Sequence, residues 1–268
     1  MDMGVAGKIA IVTGGGQGIG RGIVRCLARA GIRLTIAEIS EDHGQAAADE
    51  INATYPGTAI FQHTDVSDKR QVYDAVARTV AHFGGLDIVI NNASALTPNV
   101  LLEQKTDDML GRTMGAGAWG TWWFMHAALP HMQARGGGAF VNFYSIDAEA
   151  AAWLHADYNM SKSAILGLSR SAAVEWARYG IRTNIIAPAA AGTVFEALER
   201  DNPGFGAMAA AGNPLGRVGD PETDIAPVVL FLVSDMARYV NGETIHADGG
   251  QHLPRYDSRP PDLAAITR

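Results

Sequence analysis

Short β-branched and apolar runs alternate along this chain with longer stretches of helical periodicity, and that alternation limits the architecture more than any other feature. The runs are Ile9–Thr13, Leu34–Ala37, Ala59–His63, Ile88–Asn91, Ala139–Phe143, Arg182–Ile186 and, late in the chain, Gly242–Ala247. Each has the length and residue types of a strand. Strands joined through helices run parallel, because each return to the sheet needs a long crossover, and a parallel sheet is covered on both faces. The expectation is a doubly wound α/β fold with helices on both faces of the sheet. At 268 residues, 47% apolar and 18% charged, the chain suits one such domain over 1–268 with a large core. Residues 136–138 read as a turn before a strand, and no linker or repeat divides the chain. Two segments stand apart. Residues 193–213 mix Phe195, Leu198, Phe205 and Met208 with Gly and Ala and read as a lid, and the tail over about 252–268 is Pro-rich and reads as extended.

The first run ends in Thr13-Gly14-Gly15-Gly16-Gln17-Gly18-Ile19-Gly20 and passes into an amphipathic helix. Glycines permit a tight strand-to-helix turn and leave room for a pyrophosphate. The following helix presents free N–H groups and its positive dipole end to that anion. A glycine-rich loop without function is the bland alternative, and it does not explain the placement between a strand and a helix. Gly14, Gln17, Gly18, Ile19 and Gly20 are the candidate dinucleotide contacts here. Glu38 ends the second strand, at Ile36-Ala37-Glu38, where a carboxylate accepts hydrogen bonds from a ribose 2′-hydroxyl and repels a 2′-phosphate. No Arg or Lys stands beside Glu38 or inside the glycine loop. Both features point to NAD rather than NADP. Asp65 and Val66 close the third run; Asp65 either holds the adenine amino group or caps the next helix. Asn91, Asn92, Ala93 and Ser94 close the fourth, where asparagines tie strand ends together or touch the adenosine.

The chemical end lies further along. Ser145 follows the fifth run, Tyr158 comes thirteen residues later and Lys162 four after that. Positions i and i+4 share one helix face. A phenol titrates near 10 and exchanges protons close to neutrality only where positive charge stabilises the phenolate. Lys162 is placed to supply that charge, and Ser145 to hydrogen-bond the substrate oxygen. A solitary Tyr-x-x-x-Lys is commonly a solvated helix face; an upstream Ser and a nucleotide loop in the same chain argue against that reading.

Together these motifs resemble the short-chain dehydrogenase/reductase family, over nearly the whole chain from Lys8 to Gly250. The resemblance rests on Thr13–Gly20, Asp65, Asn91–Ser94, Ser145, Tyr158 with Lys162, Pro188 with Thr193, Pro214-Leu215-Gly216-Arg217 and Asp248-Gly249-Gly250. It implies a Rossmann fold, with Tyr158 as general acid/base and Lys162 on the nicotinamide ribose. It also implies that Ser145 orients the substrate and that Pro188 and Thr193 hold the carboxamide. Assembly as a homotetramer, or else a dimer, is implied as well. Three positions depart from the family pattern. Gly117 stands where relatives carry an Asn, Ala189 where they carry Gly after Pro188, and Ser94 where Asn-Asn-Ala is followed by Gly. The Gly115 and Gly117 pair predicts a distorted helix there, since glycine within a helix costs roughly 1 kcal/mol relative to Ala.

The expected activity is NAD-dependent interconversion of a secondary alcohol and a ketone. Dehydration or epimerisation on the same scaffold, or nucleotide binding with reduced turnover, are the alternatives, and intact Ser145, Tyr158 and Lys162 disfavour the last. Asp147, Trp153 and His155 precede Tyr158 and are candidates for the pocket rim; His155 is either a substrate contact or a surface residue, and core packing is the alternative for Trp153. Trp119, Trp122 and Trp123 read as packing or subunit interface. A net charge of −7 without a basic cluster speaks against nucleic acid as a partner. Apolar stretches are interrupted before membrane-spanning length, and no metal-ligand spacing occurs. Cys26 has no partner for a disulfide, which points to a reducing compartment. A cytoplasmic protein is expected.

Overall fold

A computed structural model describes residues 3–253. Its strands are β1 (Ile9–Thr13), β2 (Arg33–Glu38), β3 (Ala59–His63), β4 (Ile88–Asn91), β5 (Gly138–Phe143), β6 (Ile181–Pro188) and β7 (Thr244–Ala247). They form one seven-stranded sheet in the order β3-β2-β1-β4-β5-β6-β7. Every pairing is parallel. Between and after them lie α1 (Gly18–Arg29), α2 (Glu41–Thr54), α3 (Lys69–Phe83), α4 (Asp107–Met114), α5 (Gly120–Ala134), α6 (Ile146–Glu149), α7 (Ala156–Glu175), α8 (Thr193–Asp201), α9 (Phe205–Ala211) and α10 (Ala226–Val233).

Period-two side-chain direction explains why the strands read as unbroken apolar runs. Ala10 and Val12 of β1 pack into one core with residues of α1, α2 and α10. Ile9 and Ile11 pack into a second core with residues of α3 and α5. Successive strand residues face opposite sides, and both sides are covered. The chain grows outward from β1 through β2 to β3, then crosses back to β4 and grows the other way. The connections leaving β1 and β4 therefore diverge, and a crevice opens at the carboxyl ends of these strands, where doubly wound sheets bind ligands.

Several strand ends differ from the sequence expectation. β2 ends at Glu38 as expected, in register with His63, whereas β6 runs on to Pro188. β7 starts at Thr244; Gly242 before it holds a left-handed turn at φ 76°. Asp65 does not cap the next helix: Asp68 does, accepting from the backbone N–H of Arg70 at 2.8 Å. Asp65 instead closes a turn, accepting from the Ser67 N–H at 2.8 Å. The segment read as a lid is two short helices, α8 and α9, with Phe195 and Phe205 in ring contact at 5.3 Å. Beyond Leu253 the proposed tail falls outside the described residues. No described helix is long and apolar enough to cross a membrane.

Candidate active site

A cleft of about 680 Å³ opens over the carboxyl ends of the central strands. Its floor at one end is the β1–α1 turn. Gly14, Gln17 and Ile19 line it, while Gly18 and Gly20 lie behind and make the turn possible. A Cβ on Gly20 would meet the Gly14 carbonyl oxygen at 2.0 Å, so no other residue fits that close approach. Thr13 Oγ1 accepts from the backbone N–H groups of Asn92 and Ala93, both at 3.0 Å, and Asn92 Nδ2 donates to the Thr13 carbonyl at 2.9 Å. Asn91 Nδ2 donates to Asn142 Oδ1 at 2.8 Å. These bonds stitch β1, β4 and β5 together, so the tying role is the one the asparagines show; Asn92 and Ala93 also face the cleft.

Glu38 closes the same end. It is buried, yet its carboxylate borders the cleft. Its Oε2 accepts from the Gly16 N–H at 3.1 Å, and its Oε1 from the N–H groups of Ile39 at 3.0 Å and Ser40 at 3.2 Å. Three backbone donors hold an anion that would otherwise be costly to bury. Asp65 and Val66 line the adjoining wall.

The opposite end carries Ser145, Tyr158 and Lys162, with Pro188 and Thr193 beside them. The i, i+4 spacing on α7 works as expected: Lys162 Nζ lies 5.5 Å from the centroid of the Tyr158 ring. Lys162 is buried and donates to the Phe143 carbonyl at 2.8 Å. Burial pushes the Tyr158 phenol up to about 12; a hydrogen bond with Ser145 pulls it down and the Asp147 charge pushes it up again. Burial also pulls Lys162 down to about 8. Desolvation is thus the largest influence on the phenol, and positive charge in the cleft would favour the phenolate.

Of the three candidate substrate residues, two meet. His155 Nδ1 lies 2.9 Å from Asp147 Oδ2, and the His155 ring stands edge-on to Tyr158 with centroids 6.1 Å apart. Trp153 is 83% exposed on the outer flank, neither on the cleft wall nor in the core. Trp119, 51% exposed, stacks on Trp123.

Sequence reasoning missed an ion pair beside this centre. Lys105 Nζ lies 2.7 Å from Asp157 Oδ1, each side chain only 2% exposed. Lys105 also donates to Thr97 Oγ1 at 3.2 Å and to the Pro98 carbonyl at 3.0 Å, and Thr97 donates to Asp157 Oδ2. The cluster pins the segment after β4 to the first turn of α7, one residue from Tyr158. Asp157 was adjacent to a candidate, but nothing local marked Lys105 as its partner.

The helix distortion predicted at Gly117 is present as a π-helical turn over Gly115–Trp119, between α4 and α5. Ser161, on α7, donates its hydroxyl to the Thr113 carbonyl at 2.8 Å across this turn. A Cβ at residue 117 would lie 2.1 Å from Ser161 Oγ but 3.4 Å from Ser161 Cβ. The glycine thus makes room for the serine hydroxyl. Gly117→Ala is expected to destabilise the protein by about 1–3 kcal/mol through overpacking, and adding Ser161→Ala should relieve much of that strain. Denaturant midpoints of the two single variants and the double variant check this; additive losses would show that the two positions do not share the space.

Comparison with known proteins places these features among relatives. The family model described as enoyl-(acyl carrier protein) reductase matches residues 14–252. The chain is 33% identical over 248 residues to a 2,5-dichloro-2,5-cyclohexadiene-1,4-diol dehydrogenase of Sphingobium indicum, covering 92% of this chain and 97% of that one. It is 35% identical to an L-rhamnose 1-dehydrogenase (NAD(P)(+)) of Azotobacter vinelandii, covering 91% and 96%. Among solved structures, L-sorbose reductase from Gluconobacter frateurii, complexed with NADPH and L-sorbose, superposes with a TM-score of 0.89 at 28% identity, covering 95% of this chain and all of that one, 100%.

Proposed function

Because this chain belongs to the short-chain dehydrogenase/reductase family, we propose that it interconverts a secondary alcohol and a ketone with NAD, using Tyr158 as general acid/base. That it is an oxidoreductase follows from the family. The single observation that carries the finer reading is that Glu38 and the Ser145, Tyr158 and Lys162 group sit at opposite ends of one cleft.

The residues present fit a dinucleotide. The turn at Gly14 is tight: φ is 64°, and a Cβ would meet Asn92 Nδ2 at 3.0 Å and the Ala93 Cα at 3.3 Å. Gly14, Gln17 and Ile19 would face the pyrophosphate, Glu38 the adenosine ribose, Asp65 and Val66 the adenine, and Pro188 and Thr193 the carboxamide. A dinucleotide held by these residues would supply the hydride chemistry and, when oxidised, positive charge near the Tyr158 phenol. Ser145 holds the substrate oxygen, Tyr158 takes or returns the hydroxyl proton, and Lys162 keeps a positive charge near the phenol.

The choice of NAD over NADP rests on Glu38. Its carboxylate is already held in place by three N–H groups, so it is not free to swing away from a 2′-phosphate. Relatives do not share one cofactor, since the rhamnose dehydrogenase is named for both and the sorbose reductase was solved with NADPH. The expected result is a higher kcat/KM with NAD than with NADP, and a smaller gap in Glu38→Ala, which removes both the ribose bonds and the repulsion. Equal or better use of NADP by the native protein would overturn the assignment. The relatives' named substrates include a cyclic diol and a sugar, which supports a small hydroxylated substrate here. A homotetramer, or else a dimer, in the cytoplasm completes the proposal.

A further inference from the structure

The pair formed by Asp147 and His155 has no part in the reaction as derived above, yet it touches both catalytic oxygens' neighbours. The Asp147 N–H donates to Ser145 Oγ at 3.2 Å. The Asp147 charge is felt at the Tyr158 phenol, and the His155 ring stands against the Tyr158 ring. Neither side chain is sealed off: His155 is 28% and Asp147 36% exposed. The loop that carries His155 is held in costly backbone conformations. Ala151 and Leu154 are the two described non-glycine residues at positive φ, 50° and 67°. Such conformations persist only where surrounding contacts enforce them. The enforcing bonds are present: the Ala152 N–H donates to the Asp147 carbonyl at 2.9 Å, and Asn159 Nδ2 donates to the Ala152 carbonyl at 3.1 Å. The chain thus loops out and returns so that His155 meets Asp147 beside the phenol.

We infer that this pair is a specificity site that accepts a hydrogen bond from a second hydroxyl of the substrate, so that diols and polyols are preferred over simple secondary alcohols. The inference rests on the alcohol–ketone reading of the same cleft. The chemistry follows from hydrogen-bond roles. With the imidazole neutral, the Asp147 carboxylate can only accept, so it fixes the proton on Nδ1 and leaves Nε2 as an acceptor. The second carboxylate oxygen of Asp147 also accepts. Two partly exposed acceptors beside Ser145 and the Tyr158 ring call for a donor, and a hydroxyl provides one. A substrate carboxylate or phosphate would offer acceptors only, and would face the negative charge of Asp147.

The test compares matched alcohols with NAD: cyclohexanol against the cyclohexane-1,2-, 1,3- and 1,4-diols, 2-butanol against 2,3-butanediol, and 4-hydroxycyclohexanecarboxylate as the anionic probe. In the native protein at least one diol is expected to exceed its mono-alcohol by about tenfold or more in kcat/KM, equivalent to about 1.4 kcal/mol in the barrier. In His155→Phe that ratio should fall toward one, with the diol's KM rising more than its kcat falls. Asp147→Asn, which no longer dictates the Nδ1 proton, should lower the ratio as well. It carries the comparison if the phenylalanine variant does not fold. A native ratio near one, a ratio unchanged in both variants, or a preference for the anionic probe would overturn the inference while leaving the alcohol–ketone reading intact. Absence of NADH formation from every alcohol would overturn both.

Discussion

Tyr158→Phe is expected to lose at least about 10²- to 10⁴-fold in kcat, the usual contribution of general acid–base catalysis, while binding the dinucleotide with near-native affinity. The hydroxyl is the only atom group removed, and the ring keeps its place on α7 against His155 and Lys162. The native pH profile supplies a second readout. Oxidation of an alcohol needs the phenolate, so its rate should rise with pH. Burial pushes the phenol up to about 12; an oxidised dinucleotide would add positive charge, so the limb seen in turnover should lie below that value. The same limb should vanish from any residual activity of the variant. Steady-state kinetics and dinucleotide titration check both halves. Near-native turnover would move the proton transfer to His155, whose ring stands edge-on to Tyr158.

The second large effect is expected at Lys105. Lys105→Met should cost about 3–5 kcal/mol of stability, because it leaves a buried carboxylate without its cation. The double variant Lys105→Met with Asp157→Asn should recover much of the loss, since Thr97 keeps an acceptor and no charge remains. The pH dependence has a definite sign. Burial pushes the Asp157 carboxyl up, but its bonds from Lys105 and Thr97 outweigh that and hold it below the usual range. Its contribution is therefore complete above the unfolded carboxyl value of about 3.9 and is lost as pH falls through the lower folded value. In Lys105→Met the direction reverses. Burial without the cation raises the Asp157 carboxyl, so protonation relieves the variant and the stability gap to the native protein should narrow on acidification. Denaturant midpoints at neutral and acid pH measure this. A gap that is small, or that widens in acid, would show that the pair is not what secures the segment. A lower kcat is expected alongside, because this contact holds the first turn of α7 one residue from Tyr158.

These two predictions differ in how far the sequence leads to them. Tyr158 and Lys162 were legible because an i, i+4 spacing is a local property of any helix. The glycine turn was legible because a strand, a tight turn and a helix follow one another without interruption. The same holds for the distortion at Gly117, where two glycines within three residues weaken a helix wherever it packs. The Lys105–Asp157 pair was not legible. Thr97 and Asp157 are 60 positions apart, and only the placement of the post-β4 segment against α7 brings them together.

Asp65 and Tyr158 show a second kind of limit. Either Asp65 or Asp68 satisfies the composition rule for a helix cap, and the choice fell to Asp68 because the chain makes one further turn after β3 before α3 begins. For Tyr158 the sequence names a lysine that should lower the phenol's pKa, but it does not state the depth of burial that raises it.

By itself the sequence determined the alternation of parallel strands and helices, the anion-receiving turn at Gly14–Gly20 and the shared helix face of Tyr158 and Lys162. Each of these follows from backbone geometry and side-chain period within a few neighbouring residues. Only the tertiary structure decided that Gly16 donates to Glu38, 22 positions away, that His155 turns back onto Asp147, and that Trp153 faces outward rather than into the cleft. Those outcomes depend on which strand ends lie side by side and on how much water remains at each group, and both are set by the packing of the whole sheet.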